Sequence, residues 1–235
     1  MSNPGNDNNF EALSRASPWV EAGNIDWSYI ISDLKPKRYG KNEVIFYQNC
    51  VSDYVYLVKE GRIRLDIYSP GGEEKTLFIA DKGTFIGELS PIDGLPNICR
   101  AIAATDSAVY LIPKTEYLKQ IHSNIKFASD LLYLFTLKIR SLVDDIKQLS
   151  FNDSYYRVCD ALVHLVRQYA THTKEGYKLN MKFTHQEMGS LTGLSRVSVS
   201  NIISHLTSRG IIRKEGGYMI IKDFDSILSY LNDKK

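Results

Sequence analysis

The stretch FTHQEMGSLTGLSRVSVSNIISHLTSRGIIR, from Phe183 to Arg213, leaves the chain least freedom. Thr184 is a good helix N-cap, and Glu187 three residues later completes a capping box. A short helix should follow with Met188 and Leu191 on its buried side, and Gly193 then permits a tight left-handed turn. Ser195 is a second N-cap, so a second helix begins at Arg196. Its apolar residues Val199, Ile202, Ile203 and Leu206 recur at steps of three, one and three, which makes one narrow face. Arg196, Val197, Ser198, Ser200, Asn201 and His205 lie on the other side. Two short helices joined by a Gly-containing turn form the helix-turn-helix pattern.

The chemistry of that outer face suits a duplex. An α-helix fits the major groove, where Arg bonds a guanine twice, Asn bonds an adenine twice and Val touches a thymine methyl. Thr184, Gln186 and Ser195 are short polar groups near helix N-termini, where backbone N–H groups attract phosphate. The alternative is a plain helical hairpin with its polar side in water, but the caps, the turn glycine and the small polar outer residues together argue against it.

The run THQEMGSLTGLSRVSVSNIISHL resembles the DNA-binding helices of the CRP/FNR family of bacterial transcription regulators. It departs from that family's usual pattern at Asn201, where Arg is common, and at Val197, where the best-known members have Glu. Both changes remove charged base contacts, so the resemblance implies a palindromic target richer in A·T pairs than the cyclic-AMP regulator's operator. It also implies a homodimer, RNA polymerase as a partner, a regulator rather than an enzyme, and a cytoplasmic location.

Charge distribution agrees with a DNA-binding C-terminal part. Residues 1–150 carry 17 Lys/Arg against 19 Asp/Glu, whereas residues 151–235 carry 12 against 8. No run approaches the roughly 18 apolar residues of a membrane span, and MSNPGNDNNF lacks the basic and apolar regions of a signal peptide. Cys50, Cys99 and Cys159 are odd in number and far apart, so neither a zinc site nor a disulfide framework is indicated, and the natural compartment is a reduced one. No N-terminal cysteine cluster of the iron–sulfur kind is present. No Walker loop and no nucleophile–base–oxyanion set stands out, so neither catalytic residues nor a cofactor is expected.

Residues 1 to about 17 are Asn-rich and polar, and read as mobile. Trp19, Val20, Trp27, Ile30, Ile31 and Leu34 suggest short helices packed on the segment C-terminal to them. From Pro36 to Pro113, the short runs VIFYQN, YVYLVKEG, RIRLDIYS, KTLFIA, TFIGEL, CRAIAAT and AVYLIP are punctuated by glycines, the pattern of a small antiparallel barrel or roll. Their spacing resembles the β-roll of cyclic-nucleotide-binding domains. Phe85-Ile86-Gly87-Glu88-Leu89 then matches the opening of the phosphate cassette, whose Glu bonds ribose in nucleotide-binding members. The Arg that holds the phosphate there has no counterpart at Pro96-Asn97-Ile98, and Arg100 comes a few residues late on a strand that alternates faces. A cyclic phosphate would lack its bidentate partner, so the nucleotide site reads as lost and Glu88 as a structural carboxylate capping nearby N–H groups.

From Asn124 to about Leu149, the residues Ala128, Leu131, Phe135, Ile139, Leu142, Ile146 and Leu149 step by three or four, a coiled-coil seam through which two copies would pair. Lys138 sits beside that seam between Leu137 and Ile139, either snorkelling to water or clamping a ligand. TGLSRVSVSN, NICRAIAATDSAVYLI and FTLKIRS together resemble the CprK branch, the halophenol-responsive regulators of reductive dehalogenation. That likeness makes Lys138 the partner of a phenolate, with Phe78, Gly87, Glu88, Asn97, Ile98 and Phe135 completing the effector set. Phe78 and Phe135 replace tyrosines of that branch, and its redox-sensitive cysteine pair has no counterpart. The chemistry agrees: a halogen lowers a phenol's pKa, and a Lys in an apolar pocket selects the anion. A haem sensor is disfavoured because the roll has no His before His122.

Phe151 to Ala170 reads as a further helix capped by Asn152 or Asp153. A strand within residues 176–183 precedes the helix-turn-helix. Residues 210–221, turning at Glu215-Gly216-Gly217, read as a wing whose Lys214 reaches phosphate, and Asp225 to Leu231 as a closing helix. His164, His172 and His185 show no metal spacing and read as structural, so no metal is expected. The expected architecture is α+β: residues 1–123 as N-terminal helices and sensing roll, 124–150 as dimerisation helix, and 151–235 as a winged-helix DNA-binding domain.

Overall fold

The computed structural model describes residues 18–20, 22–23 and 25–234, so the Asn-rich start lies outside the described residues. The chain divides into two compact units. One comprises residues up to Ile67 together with Leu77–Asp145, the other Tyr68–Thr76 together with Ile146–Lys235.

The first unit is built on two sheets. In chain order its elements are β1 (Trp19–Val20), α1 (Ser28–Ile31), β2 (Lys37–Tyr39), β3 (Val44–Phe46), β4 (Tyr54–Glu60), β5 (Ile63–Tyr68), β6 (Glu74–Ala80), β7 (Phe85–Ile86), α2 (Ser90–Asp93), β8 (Arg100–Ala103), β9 (Ser107–Pro113), α3 (Lys114–Ser123) and α4 (Ile125–Phe151), of which the end of β5, the start of β6 and the last residues of α4 fall in the second unit. A five-stranded sheet runs β1-β6-β5-β8-β3 and a four-stranded sheet β2-β9-β4-β7. The expected roll is there, within an α+β fold. Trp19 and Val20, however, form a strand rather than a helix, paired in parallel with Ile79 and Ala80. Three further elements, α2, α3 and β2, have no clear signal in the sequence.

Strand β4 explains why YVYLV shows no alternation of apolar and polar residues. Tyr56 and Val58 point into a core between the sheets with Phe46, Ile63, Phe78 and Ile86. Val55 and Leu57 point the other way, into a second core with Trp27, Phe85, Tyr117, Phe127 and Leu134. Both faces of the strand are dry, so successive side chains are apolar by necessity. The second core is largely aromatic: Trp27 meets Phe85 edge-on at 4.9 Å, Tyr117 meets Phe127 at 5.7 Å, and Trp27 Nε1 donates to Gly83 O at 2.8 Å.

Helix α4 starts where Asn124 Oδ1 accepts from Phe127 N. Its buried face is Phe127, Leu131, Leu134, Lys138 and Ser141. The expected seam is therefore corrected. Leu131 belongs to the chain's own core, whereas Leu132, Ile139, Val143 and Ile146 stand out into solvent. The sequence pattern merges two apolar stripes because both repeat every three to four residues.

The second unit contains α5 (Ser154–Tyr169), β10 (Ala170–Thr173), β11 (Gly176–Leu179), α6 (His185–Thr192), α7 (Arg196–Ser208), β12 (Ile212–Glu215), β13 (Tyr218–Ile221) and α8 (Phe224–Asp233), with sheet order β10-β11-β13-β12. Asp153 caps α5 through Tyr156 N, so Phe151 ends α4 rather than starting α5. The hairpin β10–β11 replaces the single strand expected there. Gly216 and Gly217, both at positive φ, make the two-residue turn of the wing.

Candidate nucleic-acid interface and effector site

Helix α6 opens on the expected capping box: Thr184 Oγ1 accepts from Glu187 N at 3.0 Å and Glu187 Oε2 accepts from Thr184 N at 2.7 Å. Gly193 ends it in the left-handed region at φ 66°, and Arg157 donates to Thr192 O at 2.8 Å, satisfying a terminal carbonyl. Gly189 has a second role: a Cβ there would stand 2.6 Å from Leu194 O, so only glycine lets the turn lie this close. Ser195 Oγ accepts from Ser198 N at 3.1 Å and fixes the start of α7. Val199, Ile203 and Leu206 are buried beneath that helix.

The outer face of α7 is open. Arg196, Val197 and Asn201 are exposed, Val197 by 68 %. Ser198 and Ser200 are half-buried, and the Ser195 and Ser198 hydroxyls bond each other at 2.9 Å. Thr184 and Gln186 are exposed beside them at the start of α6. His205 is exposed and packs edge-on against Tyr155 at 5.8 Å. On the wing, Arg213 is held by Glu175 and Glu215, whereas Lys214 reaches His185 on α6, Nζ to Nε2 2.5 Å. His185 reads from the sequence as structural. Its place at the first position of a helix beside exposed polar residues is the signal that could have marked it.

In the first unit, Lys138 is buried, 7 % exposed. The snorkelling alternative therefore fails. Its ammonium donates to Phe85 O at 2.8 Å and to Glu88 Oε1, and stands 5.9 Å from the centre of the Phe78 ring. The reading of Glu88 as a cap for backbone N–H groups is corrected: its partner is Lys138, fifty residues away. Gly87 lies at φ 71°, and a Cβ there would meet the Phe46 and Tyr56 rings.

The remaining effector candidates are less convergent. Asn97 is buried, with its amide on Cys50 O at 3.0 Å. Ile98 is 54 % exposed. Phe135 packs against the aromatic core rather than the one containing Phe78. Arg100 is drawn to the fully buried Asp66, its register partner on β5, at 3.8 Å, and Arg64 bonds the same carboxylate at 2.8 Å. Burial, reinforced by Glu88, pushes the Cys99 thiol up to about 12, and burial does the same for Cys159. Both are protonated and poorly nucleophilic near neutrality. Cys50 is exposed. Among the described residues no group of three or more His, Cys, Asp or Glu is placed to hold a metal ion, and no helix is long and apolar enough to cross a membrane.

Comparison with known proteins finds two matching domains. Residues 36–124 match the cyclic nucleotide-binding domain and residues 156–229 the Crp-like helix-turn-helix domain. The chain is 28 % identical over 193 residues to the cyclic AMP receptor protein of Thermus thermophilus, covering 82 % of this chain and 86 % of that protein. Its fold is that of a CRP/FNR-family transcriptional regulator of known structure, also from Thermus thermophilus, with a TM-score of 0.73 at 24 % identity over 86 % of this chain and all of the other. OCPA-complexed CprK shares the fold at a TM-score of 0.67 and 17 % identity, covering 89 % of this chain and 96 % of that one. With a cyclic nucleotide-binding domain followed by a Crp-like helix-turn-helix domain, the chain has the domain make-up of the CRP/FNR family of transcriptional regulators.

Proposed function

We propose that this protein is a homodimeric, effector-gated regulator that reads a palindromic, A·T-rich promoter site through α7 and acts with RNA polymerase. The observation that carries the DNA half is the outward row Arg196, Val197 and Asn201 at the start of a capped helix. A valine exposed on a polar face has little to gain from water and finds its complement in a thymine methyl, with Arg196 suited to guanine and Asn201 to adenine. Thr184, Gln186, Ser195, Ser198, Ser200 and Lys214 serve backbone and flanking contacts. The exposed stripe Leu132, Ile139, Val143 and Ile146 on α4 supports pairing with a second copy. Such a pair would offer two reading helices to successive turns of one duplex.

For the effector we favour a halogenated phenolate. Lys138 is a buried cation beside the Phe78 ring, and the anion would take the place of Glu88 on its ammonium, next to Gly87. Gating requires that the effector bind one arrangement of the dimer better than the other. A cyclic nucleotide is the second reading, favoured by the retained Glu88 and by the family's domain type. Against it stands Arg100, already committed to Asp66.

In vitro selection would supply the duplex, and fluorescence anisotropy would then track its binding with dichlorophenols and with cyclic AMP. Tightening by dichlorophenol that is lost in Lys138→Met is the expected result. Tightening by cyclic AMP alone would overturn the effector assignment, and failure to select any duplex would overturn the DNA reading.

A further inference from the structure

His185 is the first residue of α6, and Lys214 stands on β12 of the wing. Their side chains meet at 2.5 Å between Nε2 and Nζ. An ammonium has only protons to give, so at this contact the ring nitrogen is the acceptor and the imidazole is neutral. While that bond lasts, a proton on Nε2 would set a second positive charge against the ammonium.

The charges around them do not relieve the crowding. Arg196, at the start of α7, acts on the same ring through space. Glu187, on His185's own helix, is occupied with Thr184 N, and Glu175 and Glu215 hold Arg213. Among the described residues no carboxylate forms an ion pair with His185 or Lys214. Burial, then Lys214 and Arg196, hold the imidazole below its ordinary range, and burial holds the Lys214 ammonium below its own. What relieves such a site is an anion from outside.

We propose that His185 and Lys214 together grip one phosphate of the DNA backbone, the ring taking a proton from solvent as the phosphate arrives. Before contact Nε2 accepts from Lys214. After contact both side chains donate to phosphate oxygens. This deepens the DNA-binding reading and rests on it. The bound state holds one more proton than the free state. DNA affinity therefore rises as pH falls through the interval between the free and bound pKa values of His185, and levels off above it. Lys or Arg at this place would give a pH-independent contact.

The test uses the full chain and the selected duplex. Calorimetric titrations near pH ~7 in PIPES and in Tris, whose ionisation enthalpies differ, read the protons taken up on binding. Wild type is expected to take up a substantial fraction of one proton per protomer, and its Kd should tighten several-fold between about pH 8 and about pH 6. His185→Gln should lose both the uptake and the slope. His185→Arg should lose the uptake and bind more tightly than wild type at the alkaline end. Equal uptake in all three proteins would overturn the proposal while leaving DNA binding intact. Absence of duplex binding at every pH would overturn the DNA reading and this proposal with it.

Discussion

Lys138 holds a charge where the surroundings are otherwise apolar, and that is tolerable only because Glu88 and the Phe85 carbonyl meet it. Both partners are nearly removed from water, so losing one leaves the other stranded. Lys138→Met should lower the unfolding free energy by about 3–5 kcal/mol, and adding Glu88→Leu should restore most of it, as read by urea denaturation. Equal stability of the single variant and wild type would show that the pair is solvated. Lys138 can be singled out in the sequence because a lysine flanked by Leu137 and Ile139 demands an explanation. Its partner cannot, since fifty residues and several strands separate the two and no local spacing encodes their meeting. His185 escapes for a related reason: what distinguishes it is a lysine on the wing, brought in by tertiary structure.

Among elements, the α6–turn–α7 segment is the most legible, because caps and turn glycines act within a few residues of themselves. Each has a separable cost. Thr184→Ala removes half of the capping box and should cost about 1 kcal/mol. Gly193→Ala forces a Cβ into the left-handed region within 2.9 Å of Leu149, at about 1–2 kcal/mol. Gly189→Ala should cost the most, because its Cβ would meet the Leu194 carbonyl, a backbone atom that cannot swing aside. Chemical denaturation of the three variants should rank them in that order; a neutral Gly189→Ala would mean that the helices can separate freely. The elements that the sequence does not foretell are short or locally ambiguous: the four-residue α2, the two-residue β1 and the hairpin β10–β11 owe their form to neighbours rather than to their own periodicity.

At the scale of the whole molecule, α4 has two unlike sides. Leu131 and Leu134 serve the chain's own aromatic core, while Ile139 and Ile146 face outward. Replacing both isoleucines by Glu should leave the circular dichroism spectrum unchanged yet give monomers by sedimentation, with weak binding to a palindromic duplex. Leu131→Glu should instead disrupt the roll. A double variant that remained dimeric would place the subunit contact elsewhere. The parallel strand Trp19–Val20 has a different kind of consequence. It pairs with Ile79 and Ala80 at the end of β6, whose amides and carbonyls would otherwise lie open at the sheet edge. Two residues ahead of the roll thus shorten the stretch of open edge that a foreign strand could join, a duty unrelated to signal or promoter.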